Sequence, residues 1–163
     1  MQSFLKKLNN NEELTNFDIE DILKFLNIPI VGIYRQNELP NRFFKPHSKG
    51  GYIINLDKDG GGTHWSAIYK KGKSVFYGDS YGNPMPDEIA NKLSSNTKIY
   101  HSDIQREPIN SNRCGWYCIL FLIICDGSVK KFYDLNEIFL EYDESFEDYI
   151  LKLFNILLNK ERV

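Results

Sequence analysis

The chain contains little cysteine and no long apolar segment, and these two absences exclude several classes of protein. It has three cysteines among 163 residues, an odd number that indicates no disulfide framework and favours a reducing compartment. Its most apolar segment, residues 119–125, is far shorter than the ~20 residues that a membrane-spanning helix needs. The N-terminal residues are polar and lack the apolar core of a secretion signal. We therefore expect neither membrane association nor secretion.

A large charge of one sign is also missing. The net charge is -2, so no overall positive field attracts nucleic acid. The consecutive glycines 60–62 are not followed by the Lys-Ser/Thr pair and helix of a phosphate-binding loop. The cysteines form no paired-cysteine motif, and no histidine pair accompanies them. We therefore expect no metal and no cofactor.

What is present is the composition of a globular protein. Hydrophobic residues make up 42% of the chain and aromatic residues 14%, which is enough for a packed core. The length suits one domain, residues 1–163. Helical patterns lie towards both ends with strand patterns between them, which predicts an α+β fold with a mixed or antiparallel sheet.

Local patterns predict the elements of this fold. Residues 15–26 form a helix that Thr15 or Asn16 caps, with Phe17 and Ile22 on its apolar face. Residues 114–125 are apolar on nearly every face, which predicts a buried central helix. The other predicted elements are strands 30–34, 52–56, 64–69, 74–78 and 97–104, and helices 87–93, 135–141 and one starting with a capping box near residue 145.

The most informative residue is Cys114, which stands at the start of the predicted central helix. A thiol in this position meets the partial positive charge of the helix N-terminus, which favours the thiolate. Taken alone, such a cysteine is most often a small buried hydrophobe. We interpret Cys118 and Cys125 in that way.

Two upstream residues supply partners for a nucleophilic thiol. His64 opens one predicted strand and Asp79 follows the next. Because a hairpin places those two strand ends side by side, Asp79 could accept a hydrogen bond from the His64 ring and leave the other ring nitrogen to Cys114. Individually, His64 suits a turn cap, and Asp79 suits a turn.

Gln105 follows the last predicted strand and precedes the Cys114 loop. Its side-chain amide, together with the Cys114 backbone N–H, would make a two-donor oxyanion hole. Taken alone, a glutamine in this position is usually a surface residue.

These residues together resemble a known group, the adenain-like cysteine proteases, which include the adenovirus maturation protease and the SUMO and ubiquitin-like proteases. The likeness extends over residues 14–125 and is strongest towards the proteases of virophages and Maverick/Polinton elements. It is carried in chain order by Gly62-Thr63-His64-Trp65, Tyr77-x-Asp79-Ser80-Tyr81-Gly82, Gln105 and Asn112-x-Cys114-Gly115.

The resemblance implies a papain-like α+β core in circularly permuted order, with a central mixed sheet against the helix that starts at the catalytic cysteine. It implies a cysteine endopeptidase that cleaves after small residues, commonly Gly, in capsid or other virion precursors, within the virion and the host cytoplasm. The implied roles are His64 as base, Asp79 as its orienting partner, Gln105 as oxyanion donor and Cys114 as nucleophile, with Trp65, Gly115 and Trp116 as substrate contacts.

The chain departs from the family pattern at two places. Nine positions separate Gln105 from Cys114, more than is usual in the family, which puts the oxyanion role in question. Trp116-Tyr117 replaces a His-Leu pair and would reshape the pocket floor. DNA and a short peptide stimulate the adenovirus enzyme, but the net charge gives no support for a DNA partner here.

Three other functions stay open. A protease or isopeptidase of ubiquitin-like modifiers would use the same site. An acetyltransferase with the same triad would need a basic pocket for acetyl-CoA, and the sequence reveals none. A degenerate binding module is disfavoured because all four catalytic residue types are present.

Overall fold

The structure, a computed structural model, describes residues 1–39, 49–57, 64–125 and 146–159. Helices lie at both ends of the chain, and the strands lie between them. The elements in chain order are α1 (Gln2–Asn9), α2 (Asn16–Phe25), β1 (Gly32–Arg35), a 3-10 turn (Gln36–Glu38), β2 (Lys49–Asn55), β3 (Trp65–Lys71), β4 (Ser74–Gly78), α3 (Asp87–Ala90), β5 (Lys98–His101), α4 (Cys114–Ile124) and α5 (Phe146–Asn159).

The strands form one mixed sheet in the order β1-β2-β3-β4-β5. β2, β3 and β4 make an antiparallel meander, while β1 and β5 lie parallel to their neighbours. The β3–β4 hairpin turns at Gly72, whose φ of 59° is a conformation that favours glycine. The α+β class with a mixed sheet is confirmed.

Both faces of the sheet are covered, because residues on alternating sides of each strand are apolar. On β2, Ile53 points into one core cluster, whereas Tyr52 and Ile54 point into the other. The first cluster includes α4 and the terminal helices, and the second contains Met85 and Ile89 beyond β4. The site described below lies on the α4 side.

Helix α4 is the buried centre of the molecule. Every residue from Cys114 to Leu122 is buried, and the helix packs on β3 and against α2. A helix that is apolar all round must be covered on every side, so the predicted central helix is confirmed. Cys118 and Cys125 are buried, as interpreted from the sequence.

Helix α5 holds the segment that leads into α4. The Glu147 carboxylate accepts hydrogen bonds from the Ser111 hydroxyl, the Arg113 guanidinium and the Tyr117 hydroxyl. Arg113 also donates from Nε to the Leu8 carbonyl oxygen at 2.9 Å. The loop before the first turn of α4 is thereby tied to both terminal helices.

Several boundaries differ from the predicted ones. Phe17 is 70% exposed, so its placement on the apolar face of α2 is wrong. It lies two positions, about 200° around the helix, from the buried Ile19. The last strand ends at His101 rather than residue 104, because the chain turns away into a loop before Gln105. The predicted loops 38–49 and 57–63, helix 135–141 and the cap at residue 145 lie wholly or partly outside the described residues.

Among the described residues, no helix has both the length and the apolar character required to cross a bilayer.

A capping box at the start of α2 supports one wall of the site. The Thr15 hydroxyl accepts from the Asp18 N–H at 3.1 Å, and the Asp18 carboxylate accepts from the Thr15 N–H at 2.9 Å. The adjacent Leu14 carbonyl accepts a hydrogen bond from Trp65. The same turn therefore caps α2 and anchors the Trp65 side chain, which borders the site.

Thr15→Ala should lower the free energy of unfolding by about 0.5–2 kcal/mol, because it removes the acceptor for a helix N-terminal N–H. Urea denaturation measures this change. Asp21→Ala, at an exposed position of the same helix, is the matched control and should stay within about 0.5 kcal/mol of the parent. Equal effects of the two substitutions would show that the cap contributes nothing.

Candidate active site

His64 and Asp79 meet at one end of the β3–β4 hairpin. His64 immediately precedes β3, Asp79 immediately follows β4, and the register pairs Ala67 with Gly78. The His64 Nε2 and Asp79 Oδ1 atoms are 2.8 Å apart, which is hydrogen-bonding distance. The hairpin therefore brings together the two side chains that the sequence predicts as neighbours.

Tyr81 positions His64 in two ways, through Asp79 and through direct contact with the ring. Asp79 Oδ1 also accepts the Tyr81 backbone N–H at 2.8 Å, which fixes the carboxylate. The Tyr81 ring stacks on the imidazole with centroids 4.7 Å apart and planes inclined by 25°. Tyr81 is thus a second positioning group for His64. The sequence gives no sign of this contact beyond an aromatic residue near Asp79.

The first turn of α4 places Cys114 against this pair. One ring nitrogen of His64, one carboxylate oxygen of Glu107 and the Cys114 Sγ all lie within 4.8 Å of one another. Because Nε2 is occupied by Asp79, Nδ1 is the ring nitrogen available to the thiol. This is the arrangement of a nucleophile beside a base that a third group orients.

The protonation of Cys114 differs from the expectation based on the helix terminus alone. Burial, with a smaller contribution from the nearby Glu107 carboxyl group, raises the pKa of the thiol to about 12. Backbone N–H groups of Trp65 and Gly115 hydrogen-bond to the sulfur and lower the pKa, but by less than burial raises it. The expected net stabilisation of the thiolate is therefore wrong, and the resting group is the thiol.

Glu107 is a member of the site that the sequence does not predict. It is fully buried, and its Oε1 accepts the Ser80 hydroxyl at 2.8 Å. Its loop is fastened to the end of β4, because the Arg106 and Glu107 N–H groups both donate to the Ser80 carbonyl oxygen. Burial raises the pKa of Glu107 to about 7. No local pattern distinguishes this glutamate from a surface residue.

Gln105 is exposed in the same loop. Its Nε2 donates to the Glu107 carbonyl oxygen at 3.1 Å. Within the described part of the chain, this is the one hydrogen bond recorded for its side chain. The structure therefore connects the Gln105 amide to its own loop and records no contact with Cys114.

The three predicted substrate contacts occupy different surroundings. Trp65 is buried, and its Nε1 donates to the Leu14 carbonyl oxygen at 3.1 Å. It borders a cleft of about 660 Å³. Gly115 permits close packing, because a Cβ there would meet the Leu14 Cδ1 at 3.2 Å. Trp65 thus lies where a substrate can reach it, next to His64.

Trp116 lies elsewhere and requires a correction. It is fully buried, with its ring 4.8 Å from that of Phe154 on α5. It lies in the first turn of α4 and faces the terminal helix, and it does not line the cleft. Trp116 is a core residue, and we do not retain it as a substrate contact.

No second cluster of histidine, cysteine and carboxylate groups is found in the described ranges. The chemistry available here is therefore concentrated at Cys114. A thiol, an imidazole oriented by a carboxylate, and backbone N–H groups at a helix start can together carry out acyl transfer.

Neither a family model nor a curated protein sequence matches the chain. Solved structures that are similar to it include two of the protease Ulp1. The C-terminal Ulp1 protease domain in complex with Smt3, the yeast ortholog of SUMO, is 17% identical over 75% of this chain and 69% of that one, with a TM-score of 0.50. The SUMO protease Ulp1 with its catalytic cysteine oxidised to a sulfinic acid is 15% identical over 90% of this chain and 83% of that one, also with a TM-score of 0.50. The chain therefore has the fold of these SUMO protease domains, and the predicted α+β core of the papain-like type is confirmed.

Proposed function

We propose that this protein is a cysteine peptidase in which Cys114 is the nucleophile and His64 is the general base. The observation that carries the proposal is the His64 ring, whose Nε2 lies 2.8 Å from Asp79 and which has a ring nitrogen within 4.8 Å of the Cys114 Sγ. The protease fold of the similar structures supports the same reading.

In the first step, the thiol proton moves to His64 Nδ1 as Sγ attacks the carbonyl carbon of the substrate. The carbon–oxygen π pair moves to oxygen and forms an oxyanion, and Asp79 stabilises the imidazolium through Nε2. Because burial raises the pKa of Cys114 to about 12, proton transfer accompanies attack rather than preceding it as a stable ion pair.

In the second step, the tetrahedral intermediate collapses and the carbon–nitrogen bond breaks. His64 returns its proton to the departing amine, and the acyl group stays on Sγ as a thioester. Water then attacks the thioester with His64 again as base, which releases the acid and restores the thiol. The Cys114 backbone N–H at the start of α4 is one donor for the oxyanion in both steps.

The cleft beside Trp65 suits the acyl side of a peptide. It runs from the start of β3 to Tyr34 and Arg35 on the edge strand β1, with the Leu14 segment as its other wall. An extended peptide can lie along such an edge. The lining includes two acidic residues, Glu13 and Glu38, besides Arg35, so its charge does not favour the phosphates of acetyl-CoA and disfavours an acetyltransferase.

Two substrate classes fit this site. The sequence resemblance favours capsid or other virion precursor proteins, processed in the virion and host cytoplasm. The second candidate is a ubiquitin-like modifier, which the likeness to Ulp1, solved in complex with Smt3, favours. In both classes we expect cleavage after Gly, since the bulky Trp65 and Tyr81 flank the approach and Gly permits close passage of the backbone.

Substitutions in the triad should affect turnover in a graded order, measured on a fluorogenic peptide with Gly before the scissile bond. Cys114→Ala should abolish turnover. His64→Ala should lower kcat by about 10²- to 10⁴-fold, because the general base is lost. Asp79→Asn should have a smaller effect, since Asp79 acts through His64.

Two matched controls accompany these variants. Cys118→Ala removes a buried thiol one turn further along α4, and His101→Ala removes an exposed imidazole on β5. Both should keep near-parental turnover. Parental activity in His64→Ala would contradict the assignment of the base.

Replacing the Gly before the scissile bond with Val should reduce kcat/KM by more than about tenfold, equivalent to about 1.4 kcal/mol of steric cost in the transition state. Trp65→Ala should weaken activity and relax this preference, because it opens the wall of the cleft. A preference for a charged or large apolar residue before the scissile bond in a peptide library would contradict the narrow approach.

The two substrate classes can be separated by comparing kcat/KM for two substrates. One is a folded ubiquitin-like precursor, and the other is an unfolded peptide with the same terminal sequence. Processing of virion precursors predicts similar kcat/KM for both. A value at least tenfold higher for the folded precursor would favour the modifier protease.

A further inference from the structure

Glu107 is the buried titratable group that the mechanism above leaves without a task. Its Oε1 accepts from Ser80, whereas its Oε2 has no hydrogen-bond partner among the described residues. The nearby Ser111 hydroxyl is close enough to lower the pKa of Glu107, but it donates its proton to Glu147 at 2.9 Å. A fully buried carboxyl oxygen without a partner is costly, which points to a role at the site it faces.

Glu107 also stands where a second oxyanion donor is needed. The oxyanion forms on the carbon that the Cys114 Sγ attacks, and a donor must lie about 2.7–3.1 Å from it. One Glu107 carboxyl oxygen lies within 4.8 Å of Sγ, close enough for the carboxyl group to reach an oxyanion on the carbon that is bonded to Sγ. Gln105, the donor expected from the sequence, gives its amide to the Glu107 carbonyl oxygen.

We propose that Glu107, in its carboxylic acid form, donates a hydrogen bond from Oε2 to the oxyanion and so takes the role expected of Gln105. This inference rests on the proposed thiol chemistry of Cys114. The proton stays on Glu107 throughout, because the hydrogen bond stabilises the oxyanion without transferring the proton. Together with the Cys114 N–H, it completes a two-donor oxyanion hole.

The surroundings of Glu107 keep it protonated up to neutral pH. Burial, with a smaller contribution from Glu147, raises its pKa to about 7, although the Ser80 and Ser111 hydroxyls and His64 lower it. The adjacent Arg106 guanidinium donates to Ser102 Oγ and the Ile104 carbonyl oxygen. The titratable groups that face Glu107 are His64 before β3, Tyr81 after β4, Cys114, Tyr117 and Cys118 on α4, and Glu147 on α5.

The ability of Glu107 to stabilise the oxyanion depends on pH. Below the pKa of Glu107 the acid can donate to the oxyanion. As the pH rises through about 7, Glu107 loses its proton. The resulting carboxylate cannot donate a hydrogen bond and repels the negative oxygen. Oxyanion stabilisation therefore declines with rising pH, apart from any change in the amount of thiolate.

Two reactions of Cys114 separate oxyanion stabilisation from thiolate content. Acylation by p-nitrophenyl acetate passes through an oxyanion as Sγ attacks the carbonyl and expels p-nitrophenolate. Alkylation by iodoacetamide expels iodide and forms no oxyanion. Both reactions require the same loss of the Cys114 proton to His64, so their ratio, measured across the neutral pH range, cancels the activation of the thiol and reports the oxyanion hole.

Glu107→Ala should lower the acylation-to-alkylation ratio by about 10²-fold or more, the usual effect of losing one oxyanion donor. Glu107→Gln should keep the ratio near the parental low-pH value and remove its decline above neutral pH, since an amide donates at every pH. Gln105→Ala, two positions earlier, is the matched control and should leave the ratio unchanged.

A parental ratio in Glu107→Ala, or a large loss in Gln105→Ala, would overturn the inference. If Glu107→Ala does not fold, identical pH profiles of the ratio in the parent and Glu107→Gln would overturn it equally. Ester acylation does not require peptide recognition. If the acylation-to-alkylation ratios change as expected but the protein cleaves no peptide, the proposed peptidase function is rejected and the role of Glu107 stands. If the protein cleaves peptides but the Glu107 variants leave the ratio unchanged, the role of Glu107 is rejected and the peptidase function stands.

Discussion

The burial of α4 on every side is the constraint on which the rest of the structure depends. A helix so apolar is stable only when the sheet covers one side and other helices cover the remainder. Its first residue is Cys114, so the packing that buries the helix also buries the thiol and fixes it beside the end of the β3–β4 hairpin. The position of the nucleophile is therefore a consequence of core packing.

That burial has an electrostatic consequence. Removing water from the site raises the pKa of both Cys114 and Glu107, so Cys114 rests as the thiol and the carboxylic acid form of Glu107 persists up to a pH of about 7. A neutral thiol needs a base at the moment of attack, and a neutral carboxyl group can donate a hydrogen bond. Desolvation disfavours the charged forms of Cys114 and Glu107. It therefore keeps the two groups in the protonated forms that the proposed steps require.

The site is costly to the stability of the fold. In the described part of the chain, one oxygen each of Asp79 and Glu107 is buried without a hydrogen-bond partner, and each such group costs about 1–3 kcal/mol. The remaining polar atoms are closely held, by His64 and Tyr81 at Asp79 and by Ser80 at Glu107. A buried polar atom without a partner also occurs in the core, at Trp116 Nε1, so it is the position of Glu107 beside Cys114 that indicates a role at the site.

Much of this could be predicted from the sequence, since it rests on local patterns. Apolar periodicity predicts α4, and a hairpin places His64 beside Asp79. Glu107 could not be predicted, because its position depends on its loop bonding to the Ser80 carbonyl oxygen, a tertiary contact with no local signature. The error for Trp116 has a similar origin, since only the packing of α5 decides which neighbour that ring meets.

The direction of the Cys114 pKa shift also could not be predicted from local sequence patterns. The helix terminus can be predicted from the sequence and lowers the pKa, whereas the desolvation that outweighs it belongs to the assembled core. Local chemistry therefore predicts which thiol is the candidate nucleophile, but it does not predict the resting protonation state of that thiol.

The central claim is that core packing holds one thiol, and only that one among the three cysteines, within reach of His64. Mass spectrometry after limited iodoacetamide treatment measures the alkylation rate of each cysteine in the folded protein. The account predicts that Cys114 reacts first near neutral pH and that His64→Ala slows it by about 10²-fold, the scale of a lost base, while Cys118 and Cys125 stay protected. Alkylation of Cys118 or Cys125 as fast as that of Cys114, or an unchanged Cys114 rate in His64→Ala, would contradict it.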